Sequence, residues 1–149
     1  MNITLKDKVK VSQFSSIMKN LKNFSSDIEI IIDKNRLYAQ GMDSSHICLY
    51  ELVLHNDWFC EYNVDKSCVL GLNCEMLSKV LNCLSNEQII TMIYNEKKDN
   101  LRMILKPIDG ESGIVKEFKI PLMDIDAELL EIPEAEFSAD IHCQNNIIY

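Results

Sequence analysis

Four consecutive residues, Asp43, Ser44, Ser45 and His46, supply the side-chain types of a hydrolytic triad. Such a triad needs three side chains converging within hydrogen-bonding distance, with donors placed for an oxyanion. Within the stretch QGMDSSHICL these four residues lie between two strand-like runs. In an extended chain neighbours alternate faces, and same-side residues project in parallel rather than converge. The stretch also lacks the G-x-S-x-G elbow that presents a nucleophilic serine. What remains is a polar turn, with Ser44 and Ser45 bonded to backbone and Met42 and Ile47 in packing.

Metal and thiol chemistry find no better support. The cysteines stand at 48, 60, 68, 74, 83 and 143, with no C-x-x-C pair. His46, His55 and His142 add no regular ligand spacing. Most of the cysteines fall in apolar or alternating runs, so buried, reduced thiols are expected. No metal, no cofactor and no catalytic residue is assigned, which disfavours a cysteine-rich metal or thiol enzyme.

The elements that would position these residues follow from periodicity. Residues 2–6 alternate weakly as a strand, and apolar residues at 11, 14, 17, 18, 21 and 24 have helical spacing. DIEIIID, LYAQGM and HICLYELVL then read as strands, the first two joined by the turn DKNR. The order recurs: WFCEY and SCVLG as strands, a helix from about Asn73 to Leu84, then QIITMIY, LRMILK and IVKEFKIPL. Asn73 suits the N-cap and Glu75 the first turn. At an offset of sixty, Leu21 matches Leu81, Phe24 matches Leu84, Ser25 matches Ser85 and Ile30 matches Ile90. The fold class is α+β: two β-α-β-β-β repeats whose two helices pack on one face of a sheet.

Charge is unevenly spread. The 149-residue chain carries −8, but residues 124–136, DIDAELLEIPEAE, hold six acids and no base, leaving −2 elsewhere. Residues 8–26 hold Lys8, Lys10, Lys19 and Lys22 and no acid. The first helix places Val11, Phe14, Ile17, Met18 and Leu21 in one stripe, opposite Ser12, Ser15, Ser16, Lys19, Asn20, Lys22 and Asn23. The second is expected to bury Met76, Leu77, Val80, Leu81, Cys83 and Leu84 and to expose Glu75, Ser78, Lys79 and Asn82. A Ser/Asn/Lys face is either solvated surface or a phosphate-contacting surface that carries no base-reading information. No apolar run reaches the ~18 residues that span a bilayer. MNITLKDKVK has no signal-peptide hydrophobic stretch, so an intracellular protein is expected.

MDSSH at 42–46, NEQIIT at 86–91 and LMDIDAELLEIPEAEFSADI at 122–141 together resemble the proliferating cell nuclear antigen (PCNA) family of DNA sliding clamps. The resemblance is colinear over essentially the whole chain. It implies a non-enzymatic DNA polymerase processivity factor whose subunits close into a homotrimeric ring around duplex DNA, touching only its backbone. Its partners are DNA polymerase, the clamp loader and other replication and repair proteins that dock through short PIP-box peptides. The implied compartment is the nucleus, or a viral replication compartment for a virus-encoded relative. By the same resemblance Met42, His46, Ile47 and Leu49 form the peptide groove, completed by Leu130, Ile132 and Pro133 from the interdomain connecting loop. Lys22 and Lys79 match DNA-facing lysines, with Lys10 and Lys19 as further candidates.

The chain departs from the family at defined places. Ser15 and Ser16 stand where paired lysines are usual, Asn82 where another lysine is usual, and Glu131 where a loop glycine is common. The implied organisation is a first clamp domain over 1–123, the connecting loop over 124–136, and the start of a second, truncated clamp domain over 137–149. The competing expectation is a truncated monomeric regulator or decoy that binds PIP-box peptides without encircling DNA.

Overall fold

In a computed structural model, residues 1–45, 47–85, 87–108, 113–125 and 130 are described. The element order is β1 (Asn2–Leu5), α1 (Lys8–Asn20), β2 (Asp27–Ile32), β3 (Arg36–Met42), β4 (Leu49–His55), β5 (Glu61–Asn63), β6 (Cys68–Asn73), α2 (Cys74–Asn82), β7 (Gln88–Tyr94), β8 (Asn100–Pro107) and β9 (Lys116–Pro121). The repeat expected from the sixty-residue offset is present. Each half gives a strand, a helix and three strands, with β5 as an addition between them.

The single expected sheet is in fact two, ordered β5-β1-β7-β8-β9 and β4-β3-β2-β6. The repeats exchange their opening strands. β1 pairs antiparallel with β7 of the second repeat, and β6 pairs antiparallel with β2 of the first. Neither half can therefore leave without opening the other's sheet. Local patterning alone does not fix this exchange, because a strand's alternation names its buried face and not its partner.

Burial follows that alternation. Ile28, Ile30 and Ile32 point inward from β2, and Leu101, Met103 and Leu105 from β8. β7 is buried on both faces over Gln88–Met92, as expected for an interior strand, and its Thr91 shares a hydroxyl contact of 3.4 Å with Thr4 of β1. The inward residues of both sheets and both helices merge into one apolar cluster.

α1 starts at Lys8, three residues before its first buried residue, Val11, because Asp7 caps it by accepting from the Lys10 N–H. It ends earlier than the apolar spacing suggests, since Leu21–Asn23 tighten into a 3-10 turn. α2 is capped as expected, with Asn73 accepting from the Met76 N–H at 3.0 Å. Its faces need correcting. Met76 and Cys83 are exposed and Ser78 is buried. On α1, Ser15 is buried as well, because α1 packs against α2 and small side chains let two helices approach closely. Of the five described cysteines only Cys74 is fully buried, and burial pushes its thiol pKa up to about 11. Cys48, Cys60 and Cys83 are exposed, each lying just outside a regular element, so the expectation of buried thiols holds for one position.

Candidate functional site: a two-segment groove and a helical face

The loop joining β3 to β4 answers the question raised by its triad-like composition. Asp43 is its organising residue. Its carboxylate accepts from the Ile47 N–H at 2.9 Å, the Cys48 N–H at 2.6 Å and the Ser45 N–H at 3.1 Å, and from the Ser45 hydroxyl. The Asp43 N–H donates in turn to the Cys48 carbonyl at 2.9 Å. The expected turn is present, but Ser45 bonds to Asp43 rather than shaping the loop on its own. Ile47 is 86% exposed instead of packed. His46 lies outside the described residues.

The Ser45 hydroxyl, followed by the Cys48 N–H, holds the Asp43 carboxyl well below the usual carboxylate range. Because the folded group titrates below an unstructured aspartate (about 3.9), its contribution is complete above that pH. It fades only as pH falls through the lowered folded value. The Cys48 amide resonance is therefore expected to stay in place from pH 7 to pH 4. A titration centred at or above pH 4 would remove Asp43 as the loop's organiser.

That loop presents an apolar pair. Met42 and Leu49 are register partners at the end of the β3–β4 hairpin, both half-buried, with Ile47 beside them in the loop. Two residues along β3, Gln40 meets the chain from far downstream. With its amide oriented to satisfy both groups, Gln40 accepts from the Leu130 N–H at 2.8 Å and donates to the Leu130 carbonyl at 3.3 Å. Of the expected groove residues, Met42 and Leu49 pair across the hairpin, Ile47 is exposed in the loop between them, and Leu130 bonds to Gln40, two residues from Met42 along β3. Ile132 and Pro133 lie outside the described residues. Gln40 itself was not anticipated, since nothing in its local pattern sets it apart from any polar strand residue.

The four candidate lysines differ in what holds them. Lys10 donates to the Trp58 carbonyl at 2.9 Å and lies 5.7 Å over the Trp58 ring, so its ammonium is already engaged. Lys79 pairs with Glu75 at 2.8 Å, an exposed contact one helical turn long and readily exchanged. Lys22 is exposed and Lys19 half-buried. A cleft of about 270 Å³ runs between the two helices, lined by Ser12, Ser15, Ser16, Lys19 and Asn82 among others. Three of these, Ser15, Ser16 and Asn82, are the positions where the resemblance would place lysine. These three departures converge on one place.

Residues 5–129 match the family described as proliferating cell nuclear antigen, N-terminal domain. The chain is 31% identical to the proliferating cell nuclear antigen of Chaetomium thermophilum over 137 residues, covering 92% of this chain and 52% of that protein. Its fold is similar to that of PCNA from Thermococcus kodakaraensis, with a TM-score of 0.79 at 20% identity, over 90% of this chain and 51% of that one. The chain thus spans about half the length of the relatives it matches. With a family match over most of its length and both sheets and helices in the matching arrangement, the chain belongs to the PCNA family of non-enzymatic sliding clamps and carries its N-terminal clamp domain.

Proposed function

We propose that this chain serves DNA replication as the partner-docking, DNA-facing domain of a ring that encircles duplex DNA and tethers a polymerase to it. The observation that carries the docking half is the pairing of Met42 with Leu49, two residues along β3 from Gln40, which holds Leu130. An adaptable apolar patch with Met at its centre suits a surface that accepts many PIP-box peptides. His46, Ile132 and Pro133 complete it in this reading. Lys19, Lys22 and Lys79 approach the DNA backbone from the helices without reading sequence, and Lys10 contributes charge while bound to Trp58. Residues 1–123 form the first domain, 124–136 the connecting loop, and 137–149 open a second. Among the described residues β9 ends the five-stranded sheet on the side opposite β5. It is the edge through which neighbouring subunits join head to tail into a homotrimer, a heterologous contact that closes into a ring. The working compartment is the nucleus, or a viral replication compartment, with the clamp loader and repair proteins among the partners.

Calorimetry with a synthetic PIP-box peptide tests this. Met42→Ala and Ile132→Ala are each expected to weaken binding by about 1–2 kcal/mol, as for truncation of an interface anchor. Unchanged affinity in both variants rejects the groove.

A further inference from the structure

We propose that Gly71 is a positioning residue that seats the chain leaving β9 and thereby sets where Leu130 stands. This rests on the groove reading above. Gly71 sits on β6 in ordinary strand conformation, so glycine serves there by its size rather than by its backbone freedom. The Met123 N–H donates to the Gly71 carbonyl at 3.0 Å, forming an antiparallel bridge along the outer edge of β6. A Cβ on Gly71 would overlap the Met123 carbonyl oxygen and meet Ile125 Cγ1 at 3.0 Å. Alanine can be accommodated only by moving the departing chain away.

The seat is in line with the groove. Gly71 is opposite Glu29, and Ile30 is opposite Ala39, so Glu29 and Gln40 fall in the same row across the sheet. Met123 and Ile125 lie at Gly71, at one end of that row, and Leu130 lies at Gln40, two strands away. Two strands are about 10 Å apart. The five residues from Ile125 to Leu130 can reach at most about 18 Å, so the seat at Gly71 keeps Leu130 within reach of Gln40. The fold repeats the device. β5, which follows β4, pairs with β1 as Met123, which follows β9, bridges β6. The exit of each repeat covers the free edge of the exchanged strand.

The experiment uses the full chain with Gly71→Ala and, as a variant that adds no side chain to the sheet, Met123→Pro, which removes the N–H donated to Gly71. Readouts are amide hydrogen exchange at Leu130 and calorimetric affinity for a PIP-box peptide. Both variants are expected to exchange Leu130 at least tenfold faster and to bind the peptide about tenfold more weakly. Adding Gln40→Leu to Gly71→Ala should cost less than the two separate losses combined, because both act through one segment. Unchanged Leu130 exchange in both variants overturns the proposal, as does full additivity with Gln40→Leu. If the unaltered chain binds no peptide, the groove reading falls, whereas accelerated Leu130 exchange still upholds the seat.

Discussion

Replacing Phe14 with alanine is expected to lower the unfolding free energy by about 3–5 kcal/mol, the range for removing a large aromatic from a packed core. Phe14 is 2% exposed on the inner stripe of α1 and lies 6.4 Å from the Trp58 ring, centroid to centroid. Its surroundings resist collapse into the vacated space, because sheets exchanged between the two repeats bound it and α2 packs beside it. A domain of this size is ordinarily stable by about 5–15 kcal/mol, so this one change removes a large share. Urea unfolding should show it as a midpoint lower by roughly 1–3 M with an unchanged slope. Met76→Ala supplies the contrast. Helical spacing places Met76 in the α2 core, yet it is 43% exposed, and its loss should stay within about 0.5 kcal/mol. Equal effects from the two substitutions would contradict the placement of the helices.

The reason Met76 and Phe14 part company shows what sequence reasoning reaches. Amphipathic spacing finds a helix and its buried side when one broad face is covered, as for Val11, Phe14 and Met18. It errs where the covered face is widened by a neighbouring helix rather than by a sheet. Ser15 and Ser78 are buried because α1 and α2 pack together, and polarity alone places both outside. The internal repeat was legible because two similar units leave similar apolar spacings. The exchange of β1 and β6 was not, since it depends on which distant strand offers the matching edge.

The proposed groove is legible only through the resemblance to a known family. Met42, Ile47 and Leu49 are unremarkable apolar residues near a turn, and no local rule joins them to Leu130 some eighty residues on. The parts that hold them were visible in neither way. Asp43 has the residue type of a triad member, and its actual work, accepting three backbone N–H groups and one hydroxyl, needs the folded loop to be seen. Gly71 and Gln40 act through close approach and through one amide, and both depend on tertiary contacts.

Restoring lysine at Ser16 and Asn82 together is expected to strengthen DNA retention and steepen its salt dependence. Both residues are exposed on the rim of the interhelical cleft, where a long cationic side chain can reach solvent without displacing the core. Each added phosphate contact on duplex DNA changes the slope of log affinity against log salt by about 0.9. Two contacts per chain then amount to a slope about 1.8 steeper, or about tenfold between 50 and 200 mM salt. Ser15→Lys should behave differently although it lies one residue away. Ser15 is 3% exposed, and its hydroxyl has no hydrogen-bond partner among the described residues. An ammonium there must be desolvated or must force the helices apart, so this variant should lose stability and gain little affinity. Electrophoretic or fluorescence titration on duplex DNA across a salt series separates these outcomes. An unchanged slope for the Ser16→Lys, Asn82→Lys double variant would show that DNA does not approach this helical face, and the encircling role would then lose its physical basis in this chain.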